Sequence, residues 1–391
     1  MIQANEIAAA FGLPCLLSGD MQTALQLWED LYQNRANWQK ERVKPLRLPA
    51  MIARELKRLA LTEFVLDTKD TELQLPLQHT KQMLRQKLDY GIASGGLLLK
   101  PYYHNGLQID FVAQNQYLPV RYTNDACTAV ICPEELVLEK RCYTRLEFHQ
   151  FDERVHTHTI QQRCFRSPTP GTLGLECDLS EVPQWANLLP QKTYYDVSQP
   201  LFAMFQMPEA NNIDPTSPLG VSAYADAVDL IHDADVHWER ILWELESSER
   251  AIDASEDLFR LHPGTNQPIL PKGRERMYHC LEKTGTGNTI FNTFSPEIRD
   301  TSYFNALNQI LRRIESAAGL SYGTLSEVSD VEKTAEEIKS MEQQAAFLCA
   351  SERHSGQLAS RSGTIAVRIS VLSGLLRKPP HKAGRGILHV R

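Results

Sequence analysis

Apolar residues recur at helical spacing in the first third of the chain and predict three helices there. The first follows Asp20, a candidate N-cap, and the second begins at Pro49, in the first helical turn where proline is tolerated. The third spans about residues 77–90 and is expected to close at Gly91. The apolar stripes of the first two helices are Leu25, Trp28, Leu31 and Tyr32, followed by Ile52, Leu56, Leu59 and Ala60.

Alternation of apolar and polar residues replaces the helical pattern in the middle of the chain and predicts a β-rich region. Two strand-like runs within residues 95–120 flank His104-Asn105-Gly106, and an Asn-Gly pair is a strong hairpin signal. Residues 141–149 and 155–164 alternate in the same way. We expect the turn between them at Asp152-Glu153.

Residues 224–250 predict one long amphipathic helix with a strongly acidic face. A face of this kind is more often solvated surface than a functional surface. The apolar positions are Val228, Ile231, Trp238, Leu242 and Leu245, and the acidic positions are Asp226, Asp229, Asp233, Asp235, Glu239, Glu244, Glu246 and Glu249.

A second long helix follows a compact β-like insertion at residues 251–298. Its apolar stripe ends at Gly319, placed as a C-cap glycine would be. A loop then runs to Thr334, which forms a capping box with Glu337 and begins another helix. The loop is longer than most helix–helix connections, and caps fix both of its ends, which argues against a floppy linker. The stripe consists of Tyr303, Leu307, Ile310, Ile314 and Ala317.

The composition of the chain favours a globular protein and argues against a tight DNA-binding protein and a membrane-spanning protein. The chain has 391 residues, 42% of them hydrophobic and 23% charged, so a globular fold is expected. Its formal net charge of −7 is too acidic for tight binding of DNA phosphates, and any contact with nucleic acid should be loose. The eight cysteines form no C-x-x-C pair, and no apolar run approaches the length of a membrane span. We therefore expect reduced thiols and a soluble chain made in a cytoplasm.

Candidate chemistry is sparse. His149, His156 and His158 lie near two cysteines, and His156 and His158 are expected to share one face of a hairpin, so a zinc site is one alternative. The default interpretation is a polar sheet face without metal. Residues 283–289 carry glycines but lack the order of a phosphate-binding loop, and no G-x-S-x-G motif is present. We expect neither an enzyme nor a bound cofactor.

Several strings, in a fixed order, resemble the portal proteins of long-tailed phages that infect Gram-positive bacteria. The resemblance covers roughly residues 25–344, and the number and order of the strings make it specific. They are LWEDLYQNRANW, RLPAMIARELKRLALTE, YGIASGGLLLKPYYHNGLQIDFVAQNQYLPV, YTRLEFH, DPTSPLGVSAYADAVDLIHDAD, SPEIRD and GLSYGTLS…KTAEEI.

The resemblance implies an α+β portal fold with an α/β wing, a two-helix stem, a small β-rich clip and a long returning helix. The family usually continues into a helical crown, which we expect to be reduced or absent here. A glutamate, Glu336, also stands where the family's loop motif usually has a second threonine. The implied parts are the wing (1–223), stem helix 1 (224–250), clip (251–300), stem helix 2 (301–320), tunnel loop (321–334), long wing helix with a following helical segment (335–378) and basic tail or vestigial crown (379–391).

The resemblance also implies site residues for a DNA channel. Those of the tunnel loop are Tyr322, Leu325, Ser326, Glu327, Val328, Ser329, Asp330, Val331 and Lys333. Those facing the channel from the stem are Asp233, Glu239, Glu244, Arg312 and Arg313. Those of the clip, for adaptor and terminase docking, are Phe259, Arg260, Arg274, Arg276 and Tyr278.

A portal of this family is a homo-oligomeric, dodecameric ring at one vertex of the virion capsid, assembled in the bacterial cytoplasm. Double-stranded DNA enters and leaves through it. The implied partners are that DNA, the terminase large subunit, a head-tail adaptor, and the major capsid and scaffolding proteins, with no membrane. The alternatives are a minor head or adaptor protein of the virion and, from a different class, a zinc-dependent hydrolase.

Overall fold

The structure is a computed structural model that describes residues 2–39, 43–62, 71–103, 107–123, 127–248, 251–255, 258–264, 268–269, 278–281, 291–294 and 299–327. Several expectations fall outside these residues. They are the capping box at Thr334, the long helix at 335–378, the tail at 379–391, and the predicted site residues Val328, Ser329, Asp330, Val331, Lys333, Arg274 and Arg276.

Four helices form the N-terminal part of the chain: α1 (Ala4–Ala9), α2 (Gly19–Tyr32), α3 (Leu48–Leu61) and α4 (Thr71–Ser94). The predictions of α2, α3 and α4 are confirmed, whereas the sequence pattern did not predict α1.

Two predicted helix ends are wrong. The N-cap of α2 is Ser18, whose side chain accepts a hydrogen bond from the Met21 amide, and Asp20 lies inside the first turn. Helix α4 was predicted to end at Gly91, but it continues through Gly91 to Ser94. It ends there because Gly95 adopts a left-handed conformation with φ of 89°.

Two antiparallel sheets follow the helices. The order of the first is β2-β1-β9, and the order of the second is β3-β4-β5-β6-β7, with β8 pairing to β6. The predicted β1–β2 hairpin is confirmed, since Tyr103 pairs with Leu107, and the turn residues 104–106 lie outside the described part. The strands are β1 (Gly96–Tyr103), β2 (Leu107–Ala113), β3 (Leu118–Tyr122), β4 (Cys127–Leu138), β5 (Arg141–Asp152), β6 (Thr157–Ser167), β7 (Leu175–Cys177), β8 (Gln191–Tyr194) and β9 (Ala203–Gln206).

Two further helices enclose a small β-rich segment, as the sequence predicts. Helix α5 (Val228–Ser247) precedes it and helix α6 (Asp300–Ala317) follows it. One sheet of this segment has the order β13-β10-β14, and the other is the pair β11-β12. The strands are β10 (Ala251–Ser255), β11 (Arg260–Leu261), β12 (Pro268–Ile269), β13 (Tyr278–Leu281) and β14 (Phe291–Phe294). Helices and largely antiparallel sheets thus make up an α+β structure.

One large apolar core joins the N-terminal helices, the first sheet and the pair α5 and α6. Met21, Trp28 and Leu98 belong to it, as do Ile231 and Ile314 from the two late helices. A second core lies between α1 and the larger sheet, and a third lies beneath residues 175–190. The two late helices are therefore anchored in the body of the protein by burial of apolar surface.

The chain crosses itself closely where α4 ends. A Cβ atom at Gly220 would lie 2.3 Å from the carbonyl oxygen of Gly95, so no side chain fits there. The fully buried amide of Gln114 holds this crossing, because its nitrogen donates to the carbonyl oxygens of Ser94 and Gly220 at 2.8 and 2.7 Å. The crossing places residue 220, and with it the start of α5, against the first sheet.

We expect Gly220→Ala to destabilise the protein because the added methyl group would overlap a backbone oxygen that cannot move freely. The loss should be roughly 1–3 kcal/mol or more of unfolding free energy, measured by urea denaturation. Gly19→Ala is the matched control, because nothing lies within 4 Å of its Cβ position. Equal stability of the two variants would contradict the close crossing.

Candidate functional site

A dense cluster of charged side chains lies between the two sheets, around the buried carboxylate of Glu147 on β5. Lys100 of β1 donates to it at 2.7 Å, and Arg145 donates at 3.1 Å. His149 and Gln162 complete the set at 2.7 and 3.1 Å. Burial alone would raise the pKa of this carboxyl, but Lys100, the hydrogen bond from His149 and Arg145 hold the pKa well below its usual range.

A chain of hydrogen bonds fixes the two histidines of this cluster. The Leu201 amide donates to Nδ1 of His158 at 3.3 Å, so the proton of neutral His158 lies on Nε2. That nitrogen is 3.1 Å from Nδ1 of His149, whose Nε2 then donates to Glu147. Burial lowers the pKa of His158 to about 2, which keeps its ring neutral. Each ring nitrogen thus has a protein partner.

The geometry expected for the zinc alternative is wrong. His156 is exposed in the turn between β5 and β6 with φ of 51°, whereas His158 is buried, so the two do not share a face. The histidine that meets His158 is His149. Within the described residues, no group of three or more His, Cys, Asp and Glu side chains is placed to hold a metal ion. The Glu147 cluster is best understood as a polar connection between two sheets.

Helices α5 and α6 pack side by side in opposite directions, and we call them the helix pair. The two Glu244 oxygens accept hydrogen bonds from Nε and Nη2 of Arg299 at 3.0 and 2.8 Å, where α5 ends and α6 begins. Further along the pair, Nε2 of His237 is 2.9 Å from the Tyr303 carbonyl oxygen. Both predicted helices are confirmed, although α5 is shorter than residues 224–250.

The acidic face predicted for α5 is divided between surface and interior. Asp235 is only 1% exposed and accepts hydrogen bonds from Trp38, Gln39 and the Leu46 amide. Glu244 is buried against Arg299. Both carboxylates therefore have structural partners within the chain. Of the predicted channel-facing acids, Asp233 is exposed and Glu239 is half-buried.

The exposed surface of the helix pair is less acidic than the sequence suggests. Trp243 and Leu245 of α5 are 60% and 42% exposed, although Leu245 was expected in the apolar, buried stripe. Arg313 of α6 is exposed, and Arg312 is half-buried. The guanidinium carbon of Arg312 lies 4.9 Å from the centre of the Tyr322 ring. Acidic, basic and aromatic groups thus share this surface.

The predicted C-cap at Gly319 is confirmed in detail. Gly319 has φ of 64°, and the Leu320 amide donates to the Glu315 carbonyl oxygen at 2.8 Å. The Gly319 amide donates to the Ser316 carbonyl oxygen at 3.4 Å, which completes a Schellman motif. The motif turns the chain back along α6, and residues 321–327, which we call the loop start, follow that helix.

The Glu315 side chain holds the loop start from inside. It is 2% exposed and accepts hydrogen bonds from the amides of Gly323, Leu325 and Ser326 at 3.2, 2.5 and 2.7 Å. The Ser326 hydroxyl donates at 2.9 Å. Three backbone N–H groups and one hydroxyl thus form a concave anion site, which this chain fills with its own carboxylate.

A second clamp holds the last described residue of the loop start. The side-chain amide of Asn308 donates to the Glu327 carbonyl oxygen at 3.1 Å, and its oxygen accepts from the Glu327 amide at 2.8 Å. Arg312 approaches the same carbonyl oxygen at 3.5 Å. These contacts therefore fix the position of Glu327 beside the middle of α6.

Sequence reasoning missed both Glu315 and Asn308. Glu315 lies four residues after Leu311 and eight after Leu307, at positions where an apolar residue is typical of a buried helix stripe. A carboxylate in such a stripe, beside a glycine-capped helix end, was a usable signal for a buried anion site. The carboxamide of Asn308 carries no comparable signal, because asparagine is common on solvated helix faces.

The predicted loop residues differ in burial, and two of the predicted clip residues lie in different sheets. Leu325 packs against the large core and Ser326 is buried, whereas Glu327 is exposed. In the clip, Arg260 begins β11 and Tyr278 begins β13, which belong to separate sheets. Phe259 precedes β11 and is half-buried.

No protein-family model matches the chain, and no curated protein matches it. Among the described residues, no helix combines the length and the apolar character that a membrane span requires.

We expect Glu315→Ala to release the loop start, because three backbone amides and one hydroxyl would lose their acceptor. Leaving such buried donors unpaired costs about 1–3 kcal/mol, so hydrogen exchange at Gly323, Leu325 and Ser326 should accelerate by roughly 10-fold or more. Glu327→Gln is the matched control, because that side chain is exposed. Unchanged exchange in Glu315→Ala would show that the carboxylate does not hold the segment.

Proposed function

We propose that this chain is the subunit of a phage portal, a ring through which double-stranded DNA is packaged and ejected. The observation that carries the proposal is the helix pair: two antiparallel helices are anchored in the body at one end and joined through a small β-rich segment at the other. This order of parts agrees with the stem and clip that the sequence resemblance implies. The described residues within 1–223 then correspond to the wing.

The charges on the helix pair suit a conduit better than a clamp. A channel wall must not bind phosphates tightly, and exposed acids repel them over about 8 Å at physiological ionic strength. Asp233 and Glu239 remain candidates for that role, because Asp235 and Glu244 have structural partners. Exposed Arg313 would supply local, weak attraction.

In this proposal the helix pair forms the channel wall, and the loop start marks where a channel loop would leave it. Glu315 and Asn308 hold the loop start along α6 as far as Glu327, so the described part of the loop has a fixed position against the helix pair. In this proposal Leu325 and Ser326 serve as anchors, and exposed Glu327 is the described loop residue nearest to DNA. The acidic charge of Glu327 favours a steric contact over a phosphate clamp.

The remaining assignments of the portal proposal follow from the same resemblance. A dodecameric ring would sit at the capsid vertex of the virion, dock the terminase large subunit and a head-tail adaptor, and contact the major capsid and scaffolding proteins. The segment between α5 and α6 is the proposed docking region for terminase and adaptor.

Images of the purified full-length protein, viewed along a symmetry axis, test the proposal. We expect rings with a central channel, because a subunit with two anchored helices can repeat around an axis to form a wall. Native mass spectrometry gives the number of subunits. A monomer or dimer under all conditions would contradict the proposal, and a ring whose symmetry does not suit a portal would favour the alternative of a head adaptor.

We expect the double variant Asp233→Asn with Glu239→Gln to form rings but to package or eject DNA several-fold less efficiently, because repulsion from the wall is weakened. The measurement is the fraction of genome-filled particles and the fraction of DNA released in an assembly assay. Glu153→Gln, an exposed acid in the β5–β6 turn, is the matched control. Unchanged packaging and ejection would contradict this prediction and show that the two acids are only solvated surface residues.

A further inference from the structure

Two cysteines face each other on the larger sheet. Cys164 of β6 pairs directly with Cys177 of β7, and their sulfur atoms are 3.4 Å apart. Both are free thiols in the structure. Directly opposite residues of an antiparallel pair have Cα atoms about 4.5–5.5 Å apart, which lies within the range that a disulfide spans.

These thiols lie where a short edge strand meets the sheet. Only three residue pairs join β7 to β6, and β7 is the last strand in its sheet path. The chain after β7 covers β5 and β6 with a small core of its own, in which Leu179, Val182 and Trp185 surround the buried Cys164. Two surface ion pairs, Arg163–Glu176 and Arg166–Glu181, give little extra stability.

We propose that Cys164 and Cys177 form an oxidative modification site, which closes as a disulfide and fastens residues 175–190 to β6. Closure needs only rotation of the two side chains, because the sulfur atoms are already nearly in contact. Cys177 is half-buried and admits an oxidant, whereas Cys164 is 1% exposed and is reached through Cys177. The proposal requires only the folded subunit and is independent of the portal assignment.

The reaction with a diazene oxidant such as diamide is balanced. The Cys177 thiolate adds to one nitrogen of the N=N bond, and the other nitrogen takes up a proton. The Cys164 thiolate then attacks the Cys177 sulfur, the S–S bond forms, and the S–N bond breaks to release a hydrazine. Two thiols are oxidised and one diazene is reduced. Burial raises the pKa of both thiols, so closure should be slow at neutral pH and faster as the pH rises.

The test is diamide treatment of the purified full-length protein, followed by alkylation, trypsin digestion and mass spectrometry. Trypsin separates the two cysteines, because Arg163 and Arg166 flank Cys164 and the next site is Lys192. We expect residues 164–166 linked to residues 167–192, lighter by two hydrogens than the two free peptides together. The oxidised protein should unfold at a temperature a few degrees higher, and reductant should reverse the change.

Two variants keep the result decisive. Cys177→Ser, at the half-buried position, should abolish the linked peptide and the thermal shift, whereas Cys15→Ser should retain both. Oxidation in denaturant should scatter the pairing among all cysteines, which would show that the folded sheet selects this pair. Recovery of Cys164 and Cys177 as separate alkylated peptides after treatment with excess diamide at alkaline pH, or linkage of Cys177 to another cysteine, would overturn the proposal.

Discussion

Buried carboxylates are the constraint on which this structure depends. Glu147, Asp235 and Glu315 are each at most 3% exposed, and a charge removed from water is tolerated only where several donors surround it. In each case at least one donor comes from another element of the fold, although the donors to Glu315 follow it by only 8 to 11 residues. Lys100 brings the first sheet to Glu147, the N-terminal region brings Trp38 to Asp235, and the loop start brings its amides to Glu315.

These three carboxylates connect the elements that apolar burial alone would leave free to slide. Hydrophobic contact is non-directional, so it holds α5 and α6 against the body without fixing how far each helix is shifted along its own axis. Hydrogen bonds have narrow limits of distance and angle, so Asp235 and Glu315 each fix a position along a helix. A helix pair set at a defined level is what a ring-forming subunit requires, and this is why the acids matter to the proposed function.

Local patterns predicted the elements well and their ends less well. Helix α2, the β1–β2 hairpin and the Gly319 cap follow from apolar spacing, an Asn-Gly pair and a glycine in a left-handed conformation, which are all local signals. The predicted end of α4 was wrong because two glycines, Gly91 and Gly95, are both candidates for the residue that ends the helix. Only the crossing of the chain against Gly220 selects Gly95 over Gly91, and that contact is remote in sequence.

By itself, the sequence determined an α+β chain with a long helix, a β-rich insertion, a second helix and a glycine-capped loop. Periodicity and turn chemistry act over a few residues, so a linear reading can recover them. Only the tertiary structure decided which acids face water. Asp233 and Asp235 look alike in the sequence, yet one is exposed and the other accepts three hydrogen bonds. Burial depends on neighbours nearly 200 residues away, and no local pattern carries that information.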